Sequence, residues 1–172
     1  MPKFVVISPT HILRKKKEAW ENFKNGGYIA IGSRIKEDLS DKPRDEILKI
    51  VRTIPYGASQ LTKRLKEYPD FLSLNRGDYV AVKNGNDGLC GIGVITGDYY
   101  FKLNGHNTCS SSPDDFYSHF FPVKWLITTY MRRKNLLRPG EKSWPYGIIS
   151  LLPDIPVYAR RVLAKHEIKL NG

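Results

Sequence analysis

The chain has only two cysteines, Cys90 and Cys109, and they form no CxxC pair. A structural zinc site, which needs thiolates or imidazoles at short spacing, is therefore not expected. Two reduced thiols in a cytoplasmic protein is the reading this scarcity favours, with a disulfide left open. No apolar run approaches the ~18–20 residues of a membrane span. The opening MPKFVVIS leads directly into a strand and lacks the layout of a signal peptide. There is no GxxxxGK[ST], so no phosphate-cradling loop of a nucleotide-driven motor is expected. Gly91, Gly93 and Gly97 do not compose a GxGxxG that opens a helix, which removes the dinucleotide fold. The four histidines, His11, His106, His119 and His166, are scattered without carboxylate or cysteine partners at ligand spacing. Neither a metal nor a cofactor is expected, and no nucleophile elbow names an enzyme. Acidic residues are also few: 17 Asp and Glu stand against 28 Lys and Arg, a net charge of +11. Such an excess costs self-repulsion and points to a polyanionic partner, nucleic acid first and an anionic membrane surface second.

At 172 residues, 41% of them hydrophobic, the chain can bury a real core as one domain. Residues 130–172 read as a basic C-terminal extension packing on that domain. FVVIS (4–8) is a short apolar strand. HILRKKKEAWENFK (11–24) carries Ile12, Leu13, Ala19, Trp20 and Phe23 at helical spacing, and Asn25-Gly26-Gly27 stops it. YIAIG is a second strand. Helices follow over 44–52 and 58–68, broken by Ile54-Pro55-Tyr56-Gly57. Residues 78–101 read as a β-hairpin around Asn84–Gly88. Within it, LCGIGVITGDYYF (89–101) reads as one glycine-interrupted strand, with either a bulge or a place where another chain or ligand comes close to the backbone. Residues 102–118 form a long polar loop, which predicts function or mobility. HFFPVKWLIT (119–128) is a further strand, with Pro122 at an edge or bulge. Ile148–Leu152 and a helix over 155–168 complete the chain. About six strands with inserted helices predict an α+β fold: a small mixed, mostly antiparallel, barrel-like sheet with flanking helices.

The order of these segments resembles a known group. FVVIS, AWENF, GGYIAIG with EDLSD, NRGDYVAV, GIGVITGDYY and HFFPVKWL together are similar to the N-terminal modified-base-reading domains of McrB-type restriction proteins. These belong to the EVE/YTH branch of PUA-like folds. The resemblance covers roughly residues 3–128. It implies a pocket that receives one methylated nucleotide flipped from a DNA duplex, N6-methyladenine first and 5-methylcytosine second. It also implies a binding domain without an active site of its own, an AAA+ GTPase domain and a nuclease subunit elsewhere in the system, and a monomeric isolated domain. Many relatives carry a cage tryptophan directly after the IAIG strand. Ser33 stands there in this chain, so that wall must come from elsewhere or the pocket suits another base.

A flipped base needs flat stacking surfaces and a few hydrogen-bond partners. The residues expected to supply them are Ser8, Thr10, Trp20, Tyr28, Ser33, Asp98, Tyr99, Tyr100, Phe116 and Tyr117. Each has a structural alternative. Tyr99 and Tyr100, adjacent on a strand, point to opposite faces, so one lines a pocket and the other is core or rim. Trp20 and Phe23, three apart on a helix, suit core packing, as does Trp125 in its apolar strand. Phe116 and Tyr117 serve as loop aromatics or as a cap over the sheet. Ser8 and Thr10 suit a turn or helix cap, and Asp98 a turn aspartate. Phosphate contacts are expected from Arg14, Lys15, Lys16, Lys17, Arg34, Arg132, Arg133 and Lys134, against the alternative of a solvated charged face. A PUA-like RNA-binding module and, further off, a nucleic-acid-modifying enzyme are the competing functions.

Overall fold

The computed structural model describes residues 2–10, 15–32, 34–107, 116–139, 141 and 149–170. In chain order it holds β1 (Phe4–Ile7), α1 (Lys16–Gly26), β2 (Tyr28–Ile31), α2 (Arg44–Thr53), α3 (Ala58–Leu72), β3 (Tyr79–Asn84) and β4 (Gly88–Ile95). β5 (Tyr100–Asn107), β6 (Phe116–Ile127), β7 (Met131–Arg132), α4 (Arg133–Leu136), β8 (Ile149–Leu152) and α5 (Val157–Lys165) follow. The strands form one sheet in the order β2-β6-β4-β3-β1-β8, with β5 added on β6 and β7 on β4. Among the described strands only β1 and β3 pair in parallel. Register shifts in the β3–β4, β4–β6 and β5–β6 ladders bend the sheet. The result is a curled half-barrel flanked by helices, an α+β fold.

Composition explains the layering. β1 is apolar at every position because both its faces are covered. Val5 and Ile7 join the core under α1, α2 and α3, with Phe23, Ile47, Val51 and Phe71. Phe4 and Val6 join a second core under α5, with Tyr158, Ala159 and Leu163. β8 pairs antiparallel with β1, so described residues of the C-terminal segment complete the sheet edge. Arg161 reaches back with two hydrogen bonds to Glu141, at 2.6 and 2.9 Å.

Three local readings differ from the structure. The stretch 89–101 is two strands: β4 stops at Ile95, the chain turns at Thr96–Tyr99, and β5 starts at Tyr100. Gly97 and Asp98 are turn residues here, so strand alternation does not govern Tyr99 and Tyr100. The polar loop is shorter than its composition suggests. β5 runs to Asn107 and β6 begins at Phe116, placing Phe116 and Tyr117 on a strand; residues 108–115, with Cys109, lie outside the described residues. Pro122 is on neither an edge nor a register shift; it sits where β6 passes from pairing with β5 to pairing with β4, and its missing N–H falls at that changeover.

Gly91 shows what the glycines of β4 are for. A Cβ there would lie 2.5 Å from the Trp20 ring and 2.7 Å from the Ile127 carbonyl oxygen. The approaching group is therefore the protein's own indole. Gly91→Ala is expected to cost about 1–3 kcal/mol of stability by overpacking. A urea midpoint unchanged from wild type would contradict this packing.

Candidate functional site

The end of β1 and the start of β6 meet. Ser8 and Thr10 are both buried. The Ser8 hydroxyl donates to the Thr10 carbonyl at 2.9 Å, a local turn bond that leaves the oxygen able to accept. The Tyr117 hydroxyl donates to the carbonyl of Pro9, from 108 residues away. Its ring packs 5.8 Å from that of Phe23. Ser8, Thr10 and Tyr117 are thus brought together in one place.

Two residues further along β6 from Tyr117, His119 is fully buried. Its Nε2 lies 3.1 Å from the Ile35 carbonyl oxygen, which can only accept, so Nε2 carries the proton. Nδ1 then accepts from the Tyr99 hydroxyl at 2.7 Å, and the Tyr99 oxygen accepts from the Leu39 N–H at 3.3 Å. Every polar atom of the imidazole is satisfied in the neutral form. Burial pushes its pKa down to about 4, opposed weakly by the Ile35 bond and the Asp38 carboxylate. Burial also pushes the Tyr99 phenol well up, so that it stays a donor. The network pins residues 35–39, whose Ile35 and Leu39 side chains plug the core. Gly32, at φ +80°, gives the ring its space: a Cβ there would lie 2.4 Å from His119 Cδ2.

The other expected residues are spread out. Trp20 is core, edge-on to Trp125 at 4.8 Å. Tyr28 is 2% exposed, stacked on His106 at 4.5 Å. Both rings are spent on packing within the protein. Tyr100 is 40% exposed and stacks on Phe120 at 5.2 Å. Phe116 is half-buried, opposite Asn107. Asp98 and Tyr99 line a separate cleft against Leu39 and Leu72. Ser33 and Arg14 lie outside the described residues.

The cations divide as well. Arg34 is exposed, its guanidinium 5.1 Å from the centre of the Tyr56 ring. Lys15 pairs with Glu18 at 2.7 Å. Lys16 is only 6% exposed, its ammonium close to Gly85, while Lys17 is exposed. Arg132 and Lys134 are exposed and Arg133 is half-buried. Sequence reasoning missed His119 as the hub of the site; its place between a strand start and two phenylalanines was the available signal. It also missed Lys83, buried at a β-bulge and pushed down to about 8, mainly by burial. Among the described residues no three His, Cys, Asp or Glu side chains could share a metal ion, and no helix is long and apolar enough to cross a membrane.

Fold and site define a mixed-sheet α+β domain with buried hydroxyls and an aromatic ring gathered at the end of its first strand. The chain belongs to a family described as a domain of unknown function, DUF8426, whose model matches residues 7–143. Among solved structures it is similar to the YTH domain of the Zygosaccharomyces rouxii MRB1 protein in complex with N6-methyladenosine RNA. That likeness has 14% identity and a TM-score of 0.42, covering 99% of this chain and 87% of the other. It is also similar to the Pho92 YTH domain in complex with m6A, at 14% identity and a TM-score of 0.41, covering 99% and 85%. No curated protein matches the chain in sequence.

Proposed function

We propose that this chain is a reader of methylated bases in nucleic acid, a binding domain rather than an enzyme. It takes the base, N6-methyladenine before 5-methylcytosine, from double-stranded DNA by flipping. It serves a modification-dependent restriction complex in the cytoplasm, whose AAA+ GTPase and nuclease act beside it, and the isolated domain is a monomer. One observation carries the reading: Tyr117 reaches the end of β1 between buried Ser8 and Thr10, two residues along β6 from His119, which anchors residues 35–39. Hydroxyls for a base edge and an aromatic wall are what a flipped base requires. The motif order and the net charge of +11 support nucleic acid as the partner.

The test is affinity at fixed, moderate salt for short duplexes that are unmodified, N6-methyladenine-containing and 5-methylcytosine-containing, and for single-stranded methylated RNA. The N6-methyladenine duplex is expected to bind at least about fourfold tighter than the unmodified one, the worth of one buried methyl. Equal binding to all duplexes would overturn base reading. Tighter binding of the RNA would replace DNA as the partner.

Binding is further expected to weaken steeply with salt, because phosphate contacts release counterions. Replacing exposed Arg132 and Lys134 by Gln should lower the slope of log K against log salt by about 2. A slope equal to wild type would remove this basic stretch from the interface.

A further inference from the structure

We infer that the cleft lined by Asp98 and Tyr99 is a second ligand site, one that holds a nucleotide through a base bearing an exocyclic amine. The cleft is about 410 Å³, within the usual size range of small-molecule sites. It lies between α2, α3 and the β4–β5 turn, and Ser8, Thr10 and Tyr117 are not among its lining residues. Its floor is apolar: Leu39, Ile47 and Pro69 are buried beneath it. Tyr99 forms an aromatic wall. Its ring is stacked on His119 at 6.0 Å, which fixes it as a flat surface for a base.

The rim supplies the polar recognition. Lys42 is already engaged by Glu46 at 2.6 Å and Glu37 at 3.4 Å. Arg44 and Asp98 are both exposed; the Arg44 charge acts on the Asp70 carboxyl, and neither Arg44 nor Asp98 is within ion-pair or hydrogen-bond distance of a partner among the described residues. A carboxylate only accepts; adenine, cytosine and guanine offer it an exocyclic amine, whereas the one donor of thymine, the N3–H imide, is flanked by two carbonyl oxygens that repel a carboxylate, so the amine-bearing bases are preferred. An exposed guanidinium whose donors are not hydrogen-bonded matches a phosphate by its forked geometry. An apolar floor, an aromatic wall, one acceptor and one cation together describe a nucleotide. A methylated base is not needed, so this site stands apart from the base reader proposed above.

The experiment is titration of the ¹⁵N-labelled protein with dCMP, dAMP and dTMP, following the amides of Ser40, Ser73 and Tyr99. dCMP and dAMP are expected to shift these amides saturably, and dTMP to bind about tenfold more weakly, the worth of one charge-assisted hydrogen bond. Asp98→Asn should erase that preference. Arg44→Gln, also at an exposed position, should weaken all three ligands together. Absence of saturable shifts at these amides, equal binding of dTMP and dCMP to wild type, or unchanged binding by both variants would each overturn the proposal. None of these probes carries a methyl mark, so failure here leaves the duplex comparison untouched, and the reverse.

Discussion

Gly32→Ala is expected to destabilise the protein by about 2–5 kcal/mol and to abolish selective binding of a methylated duplex. Two costs add. At φ +80° the backbone is left-handed, a conformation that costs a side-chain-bearing residue about 1–2 kcal/mol. The new methyl would also lie 2.4 Å from His119 Cδ2 and 2.9 Å from the Tyr68 hydroxyl oxygen. Neither ring can retreat: His119 is fixed by Ile35 and Tyr99, and Tyr68 is buried in the same core. Relief must come from the backbone that leads to Ser33 and Arg34, the stretch on which the proposed base pocket depends. Urea unfolding measures the first effect and the duplex panel the second. A variant within 1 kcal/mol of wild type that keeps its methyl preference would show that the His119 packing does not govern this stretch.

How far the sequence revealed this arrangement can be judged at particular residues. FVVI and YVAV announced strands buried on both faces, and both β1 and β3 feed two cores. Trp20 was expected in the base pocket, with core packing as the alternative for it and Phe23 at helical spacing, and the structure buries both. The turn at Gly97-Asp98 was obscured because the flanking residues all have high strand propensity, and propensity does not see where a ladder changes direction. That error put Tyr99 and Tyr100 on one strand. The β6 strand was shortened for the opposite reason, since Phe116 and Tyr117 follow a polar run and gain their strand partners from Asn107 and His106, polar residues that do not read as strand. Burial of the single ionisable groups was the least legible feature. Lys16 belongs to a basic run that reads as surface, yet it is 6% exposed. His119 gained meaning only when residues 35, 39 and 99 converged on it.

That convergence gives the molecule a measurable response to pH. Wild type should lose about 3 kcal/mol of unfolding free energy as pH falls through the window between the ordinary histidine value of 6.5 and the folded value of about 4. In this window the unfolded chain takes up a proton at His119 and the folded chain does not, so unfolding is favoured progressively. Above the window both states are neutral and the term vanishes; below it both are protonated and the loss stops growing. The groups near the ring are the Tyr99 and Tyr68 side chains, the Asp38 carboxylate and the Lys36 ammonium. The phenols do not titrate here, and the Asp38 carboxyl is held below its usual value, chiefly by the Ser40 N–H. His119→Gln keeps a donor for the Ile35 carbonyl but cannot titrate, and it carries the same carboxylates as wild type. The wild-type minus variant difference should therefore isolate the histidine, widening as pH falls through the window. Parallel stability curves would mean that His119 is already charged, or solvated, in the folded state. Binding of the methylated duplex by folded wild type should hold through most of this window and weaken only as pH falls through about 4, where the folded ring takes up a proton, no longer accepts from Tyr99 and loosens residues 35–39 beside the proposed pocket.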